Sequence, residues 1–205
     1  MRPAAELLLI ESRAIRPVLE GLSDEQFELP TVCTGWRVRD VLAHCGAVLS
    51  RVVADDLHGF SPVENQADVD HRKEWDIAEV LEELFLGYES AAGEVDRAGG
   101  RLDGVGIGEW IHGGDVREPV GATDPYVSAG VDTAYEVLLQ RSRRDGPGLD
   151  IEIDGRRARF GRPGEPIGEL RTDMETFVRL CGGRRPDPTR FTLHGAAPAE
   201  MALFS

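Results

Sequence analysis

The sequence has little lysine, few aromatic residues and no long apolar run. Lysine occurs once, as Lys73, among 23 basic residues, a skew more typical of a GC-rich genome than of any function. The 37 acidic residues give a net charge of -14, which argues against partners such as nucleic acid or an anionic membrane surface. No apolar stretch reaches the roughly 20 residues that a membrane span requires, so we expect neither a membrane nor a nucleic-acid partner.

Cysteine is also scarce, with three residues and no CxxC pair: Cys33, Cys45 and Cys181. An odd number of unpaired cysteines argues against a disulfide framework and favours free, buried thiols in a reducing compartment. The N-terminus lacks the charged and apolar layout of a signal peptide. The sequence therefore predicts a cytoplasmic protein.

Apolar residues recur at helical spacing through the first two thirds of the 205 residues. The spacing predicts helices at 4–21, 36–57, 76–98 and 105–118, which we expect to form a four-helix bundle. Residues 58–75 are polar and contain Pro62, so we predict a long connection there. A further helix is predicted at 128–143.

The pattern changes after residue 145, where a Gly- and Pro-rich break occurs. Alternating apolar residues predict strands at 149–153 and 156–160, joined by a turn at Asp154-Gly155. Further strands are predicted at 168–171 and 191–194, with a short helix at 174–180. We therefore predict an α+β protein, with a helical bundle at 1–145 and a small α/β domain at 146–205.

The candidate chemistry lies in the predicted helix at 105–118. Glu109, His112 and Asp115 recur every three residues and share one side of the helix, next to Gly113-Gly114. His44 lies on the second predicted helix. Two histidines and a carboxylate from different helices can hold a divalent ion, zinc above all, with one open position. We therefore predict His44, His112 and Glu109 as metal ligands; the alternatives are core histidines and a tight helix crossing at the glycines.

Two further side chains have alternative interpretations. Arg184 is a candidate for binding an anionic substrate, or a surface arginine near a helix end. Cys45 follows His44, but adjacent helical side chains diverge by about 100°, so we interpret it as a buried thiol and not as a nucleophile.

Three segments resemble the mycothiol-dependent maleylpyruvate isomerase family of the DinB-like superfamily. Residues 33–44 (CTGWRVRDVLAH) resemble the family pattern PGW-x-VRDLLAH. Residues 112–121 (HGGDVREPVG) are similar to its VH-x-x-D-[IV]-R-R-P-[LV]-G segment. Residues 180–186 (LCGGRRP) are similar to the L-x-GRR of its C-terminal domain.

The resemblance implies a DinB-like four-helix bundle with a divalent metal, followed by a small α/β domain. It implies mycothiol as a thiol cofactor and an isomerase or S-transferase reaction on a small electrophilic substrate. His44 and His112 match the ligand histidines, and Asp115 matches an acidic residue that orients substrate or ligand. The family has a carboxylate four residues before the second histidine; here that residue is Gly108, and Glu109 is one residue nearer. A non-catalytic small-molecule-binding protein and a metal-dependent hydrolase therefore stay open as alternatives.

Overall fold

The computed structural model describes residues 1–57 and 60–204. They form two compact units, Met1–Gly130 and Val131–Ser205, which we describe separately. The helix predicted at 128–143 belongs to the second unit, whereas the sequence-based boundary near 145 had placed it in the first. The predicted boundary near 145 separates domains, and a division into compact units does not test it. The boundary therefore stays a prediction.

The described residues of the first unit form six helices: α1 (Pro3–Glu20), α2 (Asp24–Phe27), α3 (Val38–Val53), α4 (Pro62–His71), α5 (Ile77–Arg97) and α6 (Asp103–Arg117). The four long ones, α1, α3, α5 and α6, correspond to the four predicted helices. Helix α3 packs on α5 and α6, and α1 packs on the same two helices. Fully buried side chains of the predicted apolar stripes, among them Leu7, Leu49 and Leu84, fill the space between them.

Helix α4 replaces most of the predicted connection at 58–75, so that prediction was wrong for residues 62–71. Ser61 caps the helix by accepting the backbone N–H of Glu64, and Pro62 occupies its first turn. Proline is tolerated there because its missing N–H would have no helical partner. Pro62 therefore begins a helix and does not break one. Residues 58 and 59 lie outside the described part of the chain.

The second unit combines two helices with a four-stranded sheet. Its elements are α7 (Val131–Asp145), β1 (Leu149–Ile153), β2 (Arg156–Phe160), β3 (Gly168–Thr172), α8 (Met174–Cys181) and β4 (Phe191–His194). The strand order is β2-β1-β3-β4, with β1 parallel to β3 and the other two pairs antiparallel. The predicted hairpin is present, with Ile153 opposite Arg156 and both turn residues at positive φ.

The core of the second unit lies on one side of the sheet. Leu149, Ile151 and Ile153 alternate inward along β1 and are buried. Phe177 of α8 contacts the rings of Tyr135 and Phe160 at centroid distances of 5.7 and 5.9 Å. The predicted α+β class is thus confirmed. Among the described residues, no helix combines the length and apolarity that a membrane crossing requires.

Candidate metal centre

His44 and His112, which are 68 positions apart in sequence, meet between α3 and α6. Their ring centroids lie 5.2 Å apart and the rings are nearly perpendicular, at 80°. Two imidazoles that share a tetrahedral zinc ion at about 2 Å per nitrogen hold their centroids roughly 5 Å apart. The spacing of the two rings is therefore compatible with a shared ion.

His44 is held in an apolar setting as a neutral imidazole. Its side chain is 7% exposed and packs against the ring of Trp36, with centroids 4.9 Å apart. Burial, followed by the charges of His112, Arg51 and Arg72, lowers the pKa of His44 to about 3. Its Nδ1 has no hydrogen-bond partner among the described residues. A neutral imidazole with a buried, unpartnered nitrogen has the protonation state that metal ligation requires.

Asp115 fixes the ring of His112. Its Oδ2 lies 2.8 Å from His112 Nδ1, and its Oδ1 accepts the hydroxyl of Tyr126 at 2.5 Å. The carboxylate is fully buried, and Tyr126 can approach because the facing helical residue, Gly114, has no side chain. A carboxylate that orients a histidine in this way is the usual outer partner of a metal-bound imidazole.

Cys33 completes a compact group of donors at the same point. Its Sγ lies 3.2 Å from Asp115 Oδ2 and 3.9 Å from His112 Nδ1. One donor atom from each of these three residues fits within 4.8 Å of the others. Cys33 is half-buried, so the prediction of a buried thiol was wrong for this residue. Its one sequence signal was its position at the head of the segment that contains His44.

Glu109, the predicted third ligand, is 2% exposed and interacts with Cys45 and Tyr88. Its Oε2 is buried and has no hydrogen-bond partner among the described residues. Burial raises the pKa of Glu109 to about 8, against the opposing effect of the interactions with Cys45 and Tyr88. The donor group found among the described residues contains Cys33, His112 and Asp115 and contains neither Glu109 nor His44. The role of Glu109 as a ligand stays a prediction.

Arg184, the predicted anion-binding residue, lies just after α8 in the second unit. Its guanidinium donates to the carbonyl of Gly182, and its backbone N–H donates to Arg179. These contacts hold the chain at the end of α8. A role of Arg184 in catalysis stays a prediction.

The donors fit a divalent ion by their chemistry. Imidazole nitrogen, thiolate sulfur and carboxylate oxygen are all zinc ligands, and four-coordinate sites are built from them. His44 lies outside the group of Cys33, His112 and Asp115, although its ring centroid is 5.2 Å from that of His112 and its Nδ1 has no hydrogen-bond partner among the described residues. A helical bundle with a histidine-containing donor group, followed by a small α+β unit, is the class of protein that this structure defines.

Comparisons with known proteins identify the family. The profile of the mycothiol maleylpyruvate isomerase N-terminal domain matches residues 8–99, a range that includes His44 and ends before α6. Residues 8–99 therefore match the N-terminal domain of mycothiol maleylpyruvate isomerase, and the resemblance of the motifs to this family is confirmed.

Solved structures agree with this fold over nearly the whole chain. The mycothiol-dependent maleylpyruvate isomerase and a histidine-to-alanine mutant of it each match with a TM-score of 0.58, covering 96% of this chain and 94% of theirs. Each is 14% identical to this chain, so the likeness shows a common fold. A search of curated proteins found no match.

Proposed function

We propose that the protein is a metal-dependent, mycothiol-dependent isomerase or S-transferase that acts on a small electrophilic substrate. The observation that carries the proposal is the meeting of His44 and His112, with His112 oriented by the buried Asp115. The match of residues 8–99 to the mycothiol maleylpyruvate isomerase N-terminal domain supports the thiol dependence. Zinc is the metal that these donors favour.

The chain's own residues divide the work at the site. His44 and His112 would hold the ion, and Asp115, itself fixed by Tyr126, keeps the His112 ring in place. The ring of Trp36 covers His44 and keeps water from it. When bound, the ion would stabilise the thiolate form of a thiol cofactor and so make it a nucleophile toward an electrophilic substrate.

Metal analysis and a thiol-dependence assay test the proposal together. Protein purified without a histidine tag should carry about one equivalent of zinc, and His112→Ala should lose it. Maleylpyruvate should be isomerised by the parent protein when mycothiol is added and not without it. Turnover of a thiol adduct by hydrolysis without added mycothiol would support the metal-dependent hydrolase instead.

A non-catalytic binding protein is the second candidate, and the surroundings of Glu109 favour it. The family's carboxylate position is Gly108 here, and the neighbouring Glu109 is engaged with Cys45 and Tyr88. On this alternative the bundle binds a small molecule without a working metal centre. Absence of bound zinc or nickel under every loading condition would support the binder and contradict the enzyme.

A further inference from the structure

The turn that precedes α3 holds the sulfur of Cys33 in a defined position. Thr31 Oγ1 accepts a hydrogen bond from the backbone N–H of Cys33 and donates one to the carbonyl of Trp36. The backbone N–H of Trp36 in turn donates to the carbonyl of Cys33. Gly35, at φ 85°, allows the chain to close this turn. The same turn therefore places Trp36 over His44 and Cys33 beside Asp115.

Cys33 Sγ, His112 Nδ1 and Asp115 Oδ2 form a triangle similar to the one that three ligand atoms form around a tetrahedral ion. Its edges are 3.2 Å from Sγ to Asp115 Oδ2, 3.9 Å from Sγ to His112 Nδ1, and 2.8 Å from Nδ1 to Oδ2. Zinc bound at about 2.3 Å to sulfur and about 2.0–2.1 Å to nitrogen and oxygen separates its ligand atoms by roughly 3.4–3.6 Å. The Nδ1–Oδ2 separation must open by roughly 0.6 Å to reach those distances, so an ion bound here would replace the hydrogen bond between His112 and Asp115. Asp115 would then be a ligand of the ion and no longer the outer partner of His112.

A second observation at the same place points to a bound ion. Only 7% of His44 is exposed, and its ring is nearly perpendicular to the ring of His112. Its Nδ1 has no hydrogen-bond partner among the described residues. A buried imidazole nitrogen left without a partner costs free energy, which an additional ligand at that nitrogen would offset. The thiol of Cys33 and the ring of His44 thus lie next to His112 from two different segments of the chain.

We infer that Cys33 supplies a thiolate ligand to the metal centre, in place of the carboxylate that Gly108 does not provide. The inference rests on the metal-dependent function proposed above. On binding, the Cys33 S–H bond breaks, a sulfur–metal bond forms and the proton is released to the buffer, with no change of oxidation state. A thiolate ligand makes the site selective for thiophilic ions such as Zn²⁺ and Co²⁺ over Mg²⁺ and Mn²⁺.

Cobalt titration of the metal-free protein tests this assignment. Co²⁺ should bind with about one equivalent and produce a near-ultraviolet thiolate-to-cobalt charge-transfer band that excess Mg²⁺ does not remove. Cys33→Ala should lose the band and weaken Co²⁺ binding at least about tenfold. Cys181→Ala, which removes a buried thiol of the second unit, is the matched control and should keep both.

A second measurement uses the unmodified protein and does not depend on the folding of a variant. Zinc should protect Cys33 from alkylation, because its sulfur becomes a ligand. Three results would overturn the role of Cys33 and leave the proposed function standing. These are cobalt binding without the band, a band that persists in Cys33→Ala, and alkylation of Cys33 that zinc does not slow. Failure of the parent protein to bind either ion would overturn both.

Discussion

At the scale of single residues, the centre depends on how completely Asp115 is held. Its carboxylate is buried among the Tyr126 hydroxyl, the His112 ring and the Cys33 sulfur. A buried carboxylate is stable only while hydrogen bonds replace its lost water. Tyr126 reaches it at 2.5 Å from outside the helix that carries the histidine. The hydroxyl of Tyr126 therefore stabilises the fold and the orientation of His112 together.

Tyr126→Phe should lower the free energy of unfolding by about 1.5–3 kcal/mol, the usual contribution of a hydrogen bond to a charged group. Zinc affinity should fall as well, by about 10–100-fold, because His112 loses its outer support. Urea denaturation and a zinc competition titration measure the two effects. Tyr135→Phe, on a tyrosine of the second unit, is the control and should leave zinc affinity unchanged. Equal zinc affinities in Tyr126→Phe and the parent would contradict this role of the hydroxyl.

Glu109 makes a pH-dependent contribution to stability in the metal-free protein. Burial raises its pKa to about 8 in the folded state, from an ordinary value of 4.5. Between about pH 4.5 and 8 the folded protein holds a proton that the unfolded chain has lost, so stability falls as the pH rises through this window. Its contribution is fully present below pH 4.5 and is lost as the pH rises through about 8.

Glu109→Gln should therefore flatten the decline in stability between pH 5.5 and 8.5. Glutamine resembles the neutral acid at every pH, so the variant should gain stability relative to the parent as the pH rises. Urea denaturation of chelator-treated protein at several pH values measures the difference. Curves that stay parallel would show that Glu109 is ionised in the folded protein, as a metal-ligating carboxylate would be.

At the scale of elements, α6 fits its neighbours through two of its glycines. A Cβ on Gly113 would overlap the carboxylate of Glu11, which forms a buried ion pair with Arg117 at 2.8 Å. A Cβ on Gly114 would overlap the ring of Tyr126. At Gly108, on the same helix, a Cβ would meet nothing within 4 Å. Gly108 is therefore free to change, whereas Gly113 and Gly114 are not. Gly106 of the same helix is constrained as well, because a Cβ there would overlap the carbonyl oxygen of Ala4.

Gly113→Ala should lower the free energy of unfolding by about 1–3 kcal/mol, because overpacking of a buried contact outweighs the better helix propensity of alanine. Gly108→Ala should raise it by up to about 1 kcal/mol, since only the propensity changes. Thermal or urea denaturation of the pair compares the same substitution on one helix. If both variants gained stability, the close approach of Glu11 to α6 would be refuted.

The elements that the sequence predicted are those whose burial follows a simple period. Helices α1, α3 and α5 and strand β1 were predicted to within a few residues because their apolar residues are buried at a regular spacing. Helix α4 was missed because Val69 is its one buried residue, so its sequence has almost no apolar period. Its cap at Ser61 and the ion pair between Arg51 and Asp68 hold it instead.

The candidate site could be predicted only in part, for a related reason. The motifs around His44 and His112 predicted that the two rings meet. The paired glycines of α6 were interpreted as space for a ligand or a helix crossing, and the side chains of Glu11 and Tyr126 lie against them. Cys33 and Tyr126 lie in non-helical segments, and their distances to Asp115 arise from the tertiary fold. The spacing of apolar residues along the sequence does not predict such contacts. The contact between the side chains of Glu109 and Tyr88 likewise depends on how α6 is rotated against its neighbours.

At the scale of the whole molecule, metal binding should stabilise the two units unequally. All members of the donor group, Cys33, His112 and Asp115, lie in the first unit, and His44 is there too. An ion that binds only the folded form stabilises it by about 2.7 kcal/mol at a hundredfold excess over the dissociation constant. The described part of the second unit contributes no donor to this group.

Zinc should therefore slow amide hydrogen exchange in α3 and α6 by up to about a hundredfold, since about 1.4 kcal/mol corresponds to a tenfold change. The strands of the second unit should exchange as before and provide the internal reference within each sample. Because a chain of net charge -14 also attracts cations weakly, Mg²⁺ at equal ionic strength and His112→Ala are the controls. Unchanged exchange in α3 and α6, or equal slowing with Mg²⁺ or in His112→Ala, would show that the two histidines do not form a specific site.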